Sequence, residues 1–150
     1  MIFREAVRDD LPAIIGMLAD DALGAAREDP GGSSLAAYEA AFDTISADAN
    51  NQLLVAVLDD RVVGTLQLTF TPSLSYRGAW RATIESVRTE AALRGHGIGT
   101  ALVRDAIERA RHRDCALLQL STHRSRVDAQ RFYERLGFEP SHVGMKLHLR

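Results

Sequence analysis

The sequence predicts one mixed α/β domain spanning 1–150, a largely antiparallel central sheet flanked by about four helices. Three observations predict it. A length of 150 residues suits a single core. A composition of 46% hydrophobic and 25% charged residues suits a packed globule rather than a disordered chain. Strand-like runs and helical periodicities also follow one another in the order β-α-α-β-β-β-α-β-α-β, with neither repeat nor low-complexity segment between them.

Ile2–Ala6 reads as a first strand. Asp9 is placed to cap a helix in which Leu11, Ile14, Ile15 and Leu18 recur at helical spacing, with Gly24 as its stop. Glu28–Ser34 (EDPGGSS) is loop-like, and Leu35–Ile45 resumes a helical stripe through Tyr38, Ala41, Phe42 and Ile45. Gln52–Leu58 and Val62–Phe70 are strands around the turn Asp59–Arg61. Thr71–Gly78 is a second loop, and Ala79–Thr89 a long strand. Gly97–Arg113 is an amphipathic helix with Ile98, Leu102, Val103, Ala106, Ile107 and Ala110 on one side. Cys115–Leu120 is an apolar strand, Asp128–Leu136 a helix stopped by Gly137, and Val143–Leu149 a closing strand.

The formal charge of −2 argues against a general nucleic-acid binder. No apolar run is long enough to span a bilayer, and MIFREAVRDD lacks the apolar core of a signal peptide. Cys115 is the one cysteine, which leaves no internal disulfide and fits the cytoplasm. His96, His112, His123, His142 and His148 form no metal-ligand spacing such as a helical i, i+4 pair, so no metal is assigned.

The most informative stretch is Arg94-Gly95-His96-Gly97-Ile98-Gly99-Thr100, between a strand and a helix. Glycines let backbone approach a ligand, and a helix start offers free N–H groups and a positive dipole end, which suits phosphate oxygens. Arg94 adds a charge-assisted donor. The dinucleotide fingerprint fails, because its third glycine would fall on Thr100 or Leu102, and no Gly-Lys-Ser/Thr of a P-loop occurs.

Arg94-x-x-Gly97-x-Gly99 after Ile84-Glu85-Ser86-Val87-Arg88-Thr89 resembles the acetyl-CoA signature of the GNAT N-acetyltransferase superfamily. A second signature, Ala129-Gln130-Arg131-Phe132-Tyr133-Glu134-Arg135-Leu136-Gly137-Phe138, stands in the family's order and separation. Many relatives carry asparagine where this chain has Arg126. Ser121–Ala129, and a tryptophan shortly before the Ile84-Glu85 strand, are instead similar to a subgroup that includes the aminoalkylphosphonate acetyltransferases.

The resemblance implies acetyl-CoA as cosubstrate and a small primary amine as acceptor, joined by direct attack in a ternary complex. It implies a homodimer as well. Val87, Arg88 and Thr89 would line the pantetheine arm, with the Val87 N–H polarising the thioester carbonyl. Arg94, Gly95, His96, Gly97, Ile98, Gly99 and Thr100 would hold the diphosphate. An alkyl amine of pKa ~10.4 is free base in about one molecule per thousand at neutral pH, a penalty of roughly 4–5 kcal/mol. Glu85, an acidic residue inside a strand, is the candidate base, acting through water or with a raised pKa. Tyr133 is the candidate acid for the thiolate; its alternative is core packing, since Ala129, Phe132, Tyr133 and Leu136 follow a helical stripe. Cys115 opens an apolar strand, which speaks against an acetyl-cysteine intermediate. Trp80, Phe70 and Tyr76 either wall the acceptor pocket or anchor their loop, and Glu28–Tyr38 is a second wall. Two alternatives to a small-molecule enzyme are a protein or peptide N-acetyltransferase and a non-catalytic acyl-CoA-binding domain.

Overall fold

In a computed structural model describing residues 1–150, five strands form one sheet in the order β1-β2-β3-β4-β5. They are β1 (Ile2–Glu5), β2 (Asn51–Leu58), β3 (Arg61–Pro72), β4 (Trp80–Thr89) and β5 (Cys115–Leu120). The first four pair antiparallel and β4 pairs β5 in parallel. The helical segments are α1 (Leu11–Ala19), α2 (Ala22–Ala25), α3 (Leu35–Ala47), the turn α4 (Ser75–Gly78), α5 (Ile98–His112) and α6 (Val127–Arg135). None is long and apolar enough to cross a membrane.

The sheet separates two unequal layers. On one side the apolar stripe of α5 (Ile98, Leu102, Val103, Ala106, Ala110) meets Leu66, Leu68, Ala82 and Ile84, and most of these side chains are fully excluded from solvent. On the other side α1 and α3 contribute a small cluster of Leu11, Ile15 and Phe42. The thinner layer leaves the cleft described below.

Four expectations are corrected. Asp10, not Asp9, is the N-cap of α1, because the short 3₁₀ turn Arg8–Asp10 precedes the helix. Gly24 does not end α1, which stops at Ala19; it lies inside α2, where a Cβ would sit 1.9 Å from the Leu18 carbonyl oxygen. The loop expected over Thr71–Gly78 begins later, since β3 runs on to Pro72. Val143–Leu149 forms no strand and makes no backbone hydrogen bond. Its alternation is that of a strand, but a strand exists only with a partner's backbone, and the segment pairs with no edge of the sheet.

Candidate active site

The site is built around an irregularity in β4. Ser86 has φ 55°, and the β3–β4 register slips there, from Gln67↔Glu85 to Thr65↔Arg88. A bulge inserts one residue and reverses the alternation of faces. Val87 therefore follows Ile84 into the α5 core, and Glu85 and Arg88 share the opposite face with their cross-strand neighbours Gln67 and Thr65.

The bulge also marks where β4 leaves β5. Their pairing ends at Ile84↔Leu120, so β4 runs on to Thr89 beside an open gap. The Glu90 N–H donates to the Val63 carbonyl of β3. Amides alternate sides along a strand, so those of Val87 and Thr89 point away from β3, into the gap.

At the far end of the gap α5 begins. Its N-cap Gly97 has φ 82° and no side chain caps the helix; the first intrahelical bond runs from Ala101 N–H to the Gly97 carbonyl. The amides of Ile98, Gly99 and Thr100 are thus left for an anion. Gly95 also has positive φ, and a Cβ at Gly95 or Gly97 would meet nothing within 4 Å, so the loop is open. Gly99 is different: a Cβ there would lie 3.4 Å from Thr89 Oγ1 and 3.6 Å from the Phe132 ring, which seats α5 against α6. Arg94 reaches Asp20 at 2.7 Å, and the His96 ring lies 3.1 Å from the Arg94 carbonyl.

Tyr133, on α6, packs edge-on between Phe132 (5.0 Å) and Phe138 (5.8 Å). Burial pushes its phenol pKa up, and the nearby Arg88 and Arg126 guanidiniums draw it back down. The ring therefore packs against the main core. Arg88 is only 11% exposed; Nη1 folds back to donate to the carbonyl of the preceding residue, Val87, at 2.9 Å. Its Nη2 lies 3.7 Å from Asp21 Oδ2, and Arg126 Nη2 lies 2.5 Å from the same oxygen.

On the α1–α3 side a cleft of about 160 Å³ opens between Leu11, Ile14, Leu18, Tyr38, Phe42, Thr65, Gln67 and Ser86. The Tyr38 hydroxyl donates to Glu28 at 2.9 Å and accepts from the Asp29 N–H at 3.0 Å, which ties the 28–38 segment into this wall. Glu85 sits beside the cleft, exposed.

Phe70, Trp80 and Tyr76 do not wall the cleft. The Arg113 guanidinium lies over the Phe70 ring at 4.4 Å and the Trp80 ring at 5.8 Å, near the opposite end of β4, and Tyr76 is exposed. Cys115 pairs with Trp80 at that end, and burial raises its thiol pKa. Sequence reasoning missed Asp21, 105 residues from its partner Arg126.

A parallel strand pair that opens beside an uncapped, glycine-entered helix, with the half-buried Tyr133 packed on α6 nearby, is the arrangement the chain presents for comparison. Residues 18–138 match the acetyltransferase (GNAT) family, and the chain belongs to it. It is an N-acetyltransferase. Over 108 residues it is 34% identical to the aminoalkylphosphonate N-acetyltransferase of Salmonella typhimurium, covering 70% of each chain. Over 89 residues it is 33% identical to the glucosamine 6-phosphate N-acetyltransferase of Trypanosoma brucei brucei, covering 59% of this chain and 58% of that one. The crystal structure of a transcriptional regulator from Bacillus halodurans C-125 superposes with a TM-score of 0.95 at 53% identity, covering 99% of both chains.

Proposed function

We propose that the protein transfers the acetyl group of acetyl-CoA to the primary amine of a small molecule, by direct attack in a ternary complex. One observation carries this reading: the unpaired length of β4 after Ile84 leads from the cleft to the uncapped start of α5. That path suits a pantetheine arm whose diphosphate is held by Arg94 and the Gly95–Thr100 loop, His96 included. The arm would add to β4 as an extra strand along Val87, Arg88 and Thr89.

In this reading the amine nitrogen attacks the thioester carbonyl carbon, and the Val87 N–H supports the oxyanion, a donor worth a few kcal/mol. Glu85 draws the proton from the amine through water. The C–S bond then breaks, and the Tyr133 hydroxyl hydrogen-bonds or protonates the leaving thiolate. Cys115 takes no part: Trp80, its partner, precedes Val87 by seven residues, roughly 23 Å along an extended strand. The relatives' small-molecule acceptors support a small amine over a peptide, and the lone thiol of Cys115 supports a cytoplasmic setting. A second copy of the chain is the proposed protein partner.

The test is calorimetric titration of coenzyme A together with thiol release from acetyl-CoA, using small amines, polyamines and peptides with and without divalent metal. Coenzyme A binding, weakened about tenfold by Arg94→Ala, and release only with small amines are expected. Absence of binding at millimolar coenzyme would overturn the assignment, and release with peptides alone would move the activity to protein acceptors.

A further inference from the structure

We infer that the acceptor amine carries a single aromatic ring, seated in the apolar cleft between α1, α3 and the bulge of β4. This deepens the acetyl-transfer reading and rests on it. The walls are Leu11, Ile14 and Leu18 of α1 and Tyr38, Ala41 and Phe42 of α3. Nine of the twelve lining residues are hydrophobic and none is charged. The phosphonate or phosphate of the relatives' acceptors would find no charged partner in this lining.

Most polar atoms of the lining already have partners. Thr65 Oγ1 donates to the Leu54 carbonyl at 3.0 Å, and Gln67 Nε2 donates to Asn51 Oδ1 at 3.0 Å. The Tyr38 hydroxyl is held between Glu28 and the Asp29 N–H. What remains for a ligand is apolar contact. Leu11, Ile14 and Phe42 are only 6, 3 and 9% exposed, so the cleft is a recess among side chains already withdrawn from water. Water gains little there, and an unfilled recess leaves its lining short of dispersion contacts. An apolar cavity of about 150 Å³ lined by Leu, Ile and Phe takes benzene. At about 160 Å³ this cleft has room for one ring and little more.

The position of the cleft sets the length of the tether. Ser86 lines the cleft and forms the bulge, so Glu85, its chain neighbour, stands at the rim. The gap on the far side of β4 is one strand spacing away, about 4.8 Å. Two methylenes between ring and nitrogen give three bonds of about 1.5 Å each, which cover most of that distance. An arylethylamine therefore places its ring in the cleft and its nitrogen at the gap beside Glu85. Apolar walls also disfavour the ammonium form, which eases loss of the proton before attack.

Initial rates at saturating acetyl-CoA are compared for phenethylamine, the alkylamines from propyl to hexyl, 2-aminoethylphosphonate and spermidine. Phenethylamine should exceed propylamine in kcat/KM by about 30-fold, and the alkylamines should climb with each methylene. Ala41 is exposed on α3, so Ala41→Phe puts a ring of the protein's own into the cleft without emptying the core. It should cut the phenethylamine-to-propylamine ratio about tenfold; if that variant does not fold, the wild-type comparison alone decides. Equal kcat/KM for phenethylamine and propylamine, a preference for 2-aminoethylphosphonate or spermidine, or an unchanged ratio in folded Ala41→Phe overturns the inference while acetyl transfer stands. If no amine is acetylated, the transfer reading fails separately, and 2-phenylethanol, which has the ring and no amine, decides. A shift of the Ile14 and Leu18 methyl NMR signals by millimolar 2-phenylethanol supports the ring site, and no shift overturns it.

Discussion

Two aspartates begin helices in this protein, and each meets arginine, yet the two sites are unlike. Asp10, at α1, is 9% exposed; it takes Arg4 through two bonds of 2.6 and 3.0 Å and the Val7 N–H at 2.8 Å. One anion faces one cation, and every near donor is used. Asp21, at α2, is 30% exposed and faces both Arg88 and Arg126. The first arrangement is closed and contributes to stability. The second is open by one positive charge, and it adjoins the phenol of Tyr133. Charge balance, more than burial, separates a closed ion pair from one left with excess positive charge.

The largest effect expected from this contrast is on chemistry. Tyr133→Phe keeps the ring between Phe132 and Phe138 and removes the hydroxyl. At saturating acetyl-CoA, kcat should fall about 100-fold with Tm nearly unchanged. A wild-type kcat would reduce Tyr133 to packing and leave the excess charge without a catalytic neighbour.

Next in size is a pure stability effect. Asp10→Ala leaves Arg4 and the Val7 N–H without their acceptor. The cost is about 2 kcal/mol, or ~4–8 °C in Tm, with kcat unchanged in the surviving folded protein. A loss of turnover at a temperature where the variant remains folded would erase the distinction between the two aspartates.

The same pair fixes a pH dependence. The Asp10 pKa is lowered: burial acts to raise it, but the Arg4 and Val7 hydrogen bonds and the Arg4 charge together outweigh burial. A carboxylate with a depressed folded pKa binds fewer protons folded than unfolded. Its contribution is complete above the ordinary value of 3.8 and fades as pH falls through the lower folded value. The Tm difference between wild type and Asp10→Asn should hold from pH 7 to about 5 and shrink steadily toward pH 3. A difference that widened on acidification would show that the pair contributes no charge-dependent stability.

How much of this was legible follows from the range of each interaction. Gly95, Gly97 and Gly99 announce a helix entrance locally, so the loop and the start of α5 were readable from sequence. The stripes of α5 and α6 were readable for the same reason. The bulge was not: Ser86 is no glycine, and its positive φ goes with a register shift against β3, a strand distant in sequence. Without the bulge, Glu85 and Arg88 would lie on opposite faces. Arg126 stood out as a departure from the family pattern, but its meaning depends on Asp21, which only folding brings near. Val143–Leu149 displays the local half of a strand and lacks the other half, a neighbour.

The smallest effect is the most direct probe of charge balance. Asp21→Asn preserves a side-chain oxygen for the Gly24 N–H, so helix capping should survive with a stability change of about 0.5 kcal/mol or less. What it removes is the single negative charge between Arg88 and Arg126. Inorganic phosphate, titrated by calorimetry, should then bind several-fold more tightly than to wild type, with the gain shrinking as salt rises. Weaker phosphate binding would mean that Asp21 orients the guanidiniums more than it neutralises them, and the contrast with Asp10 would become one of geometry instead of charge.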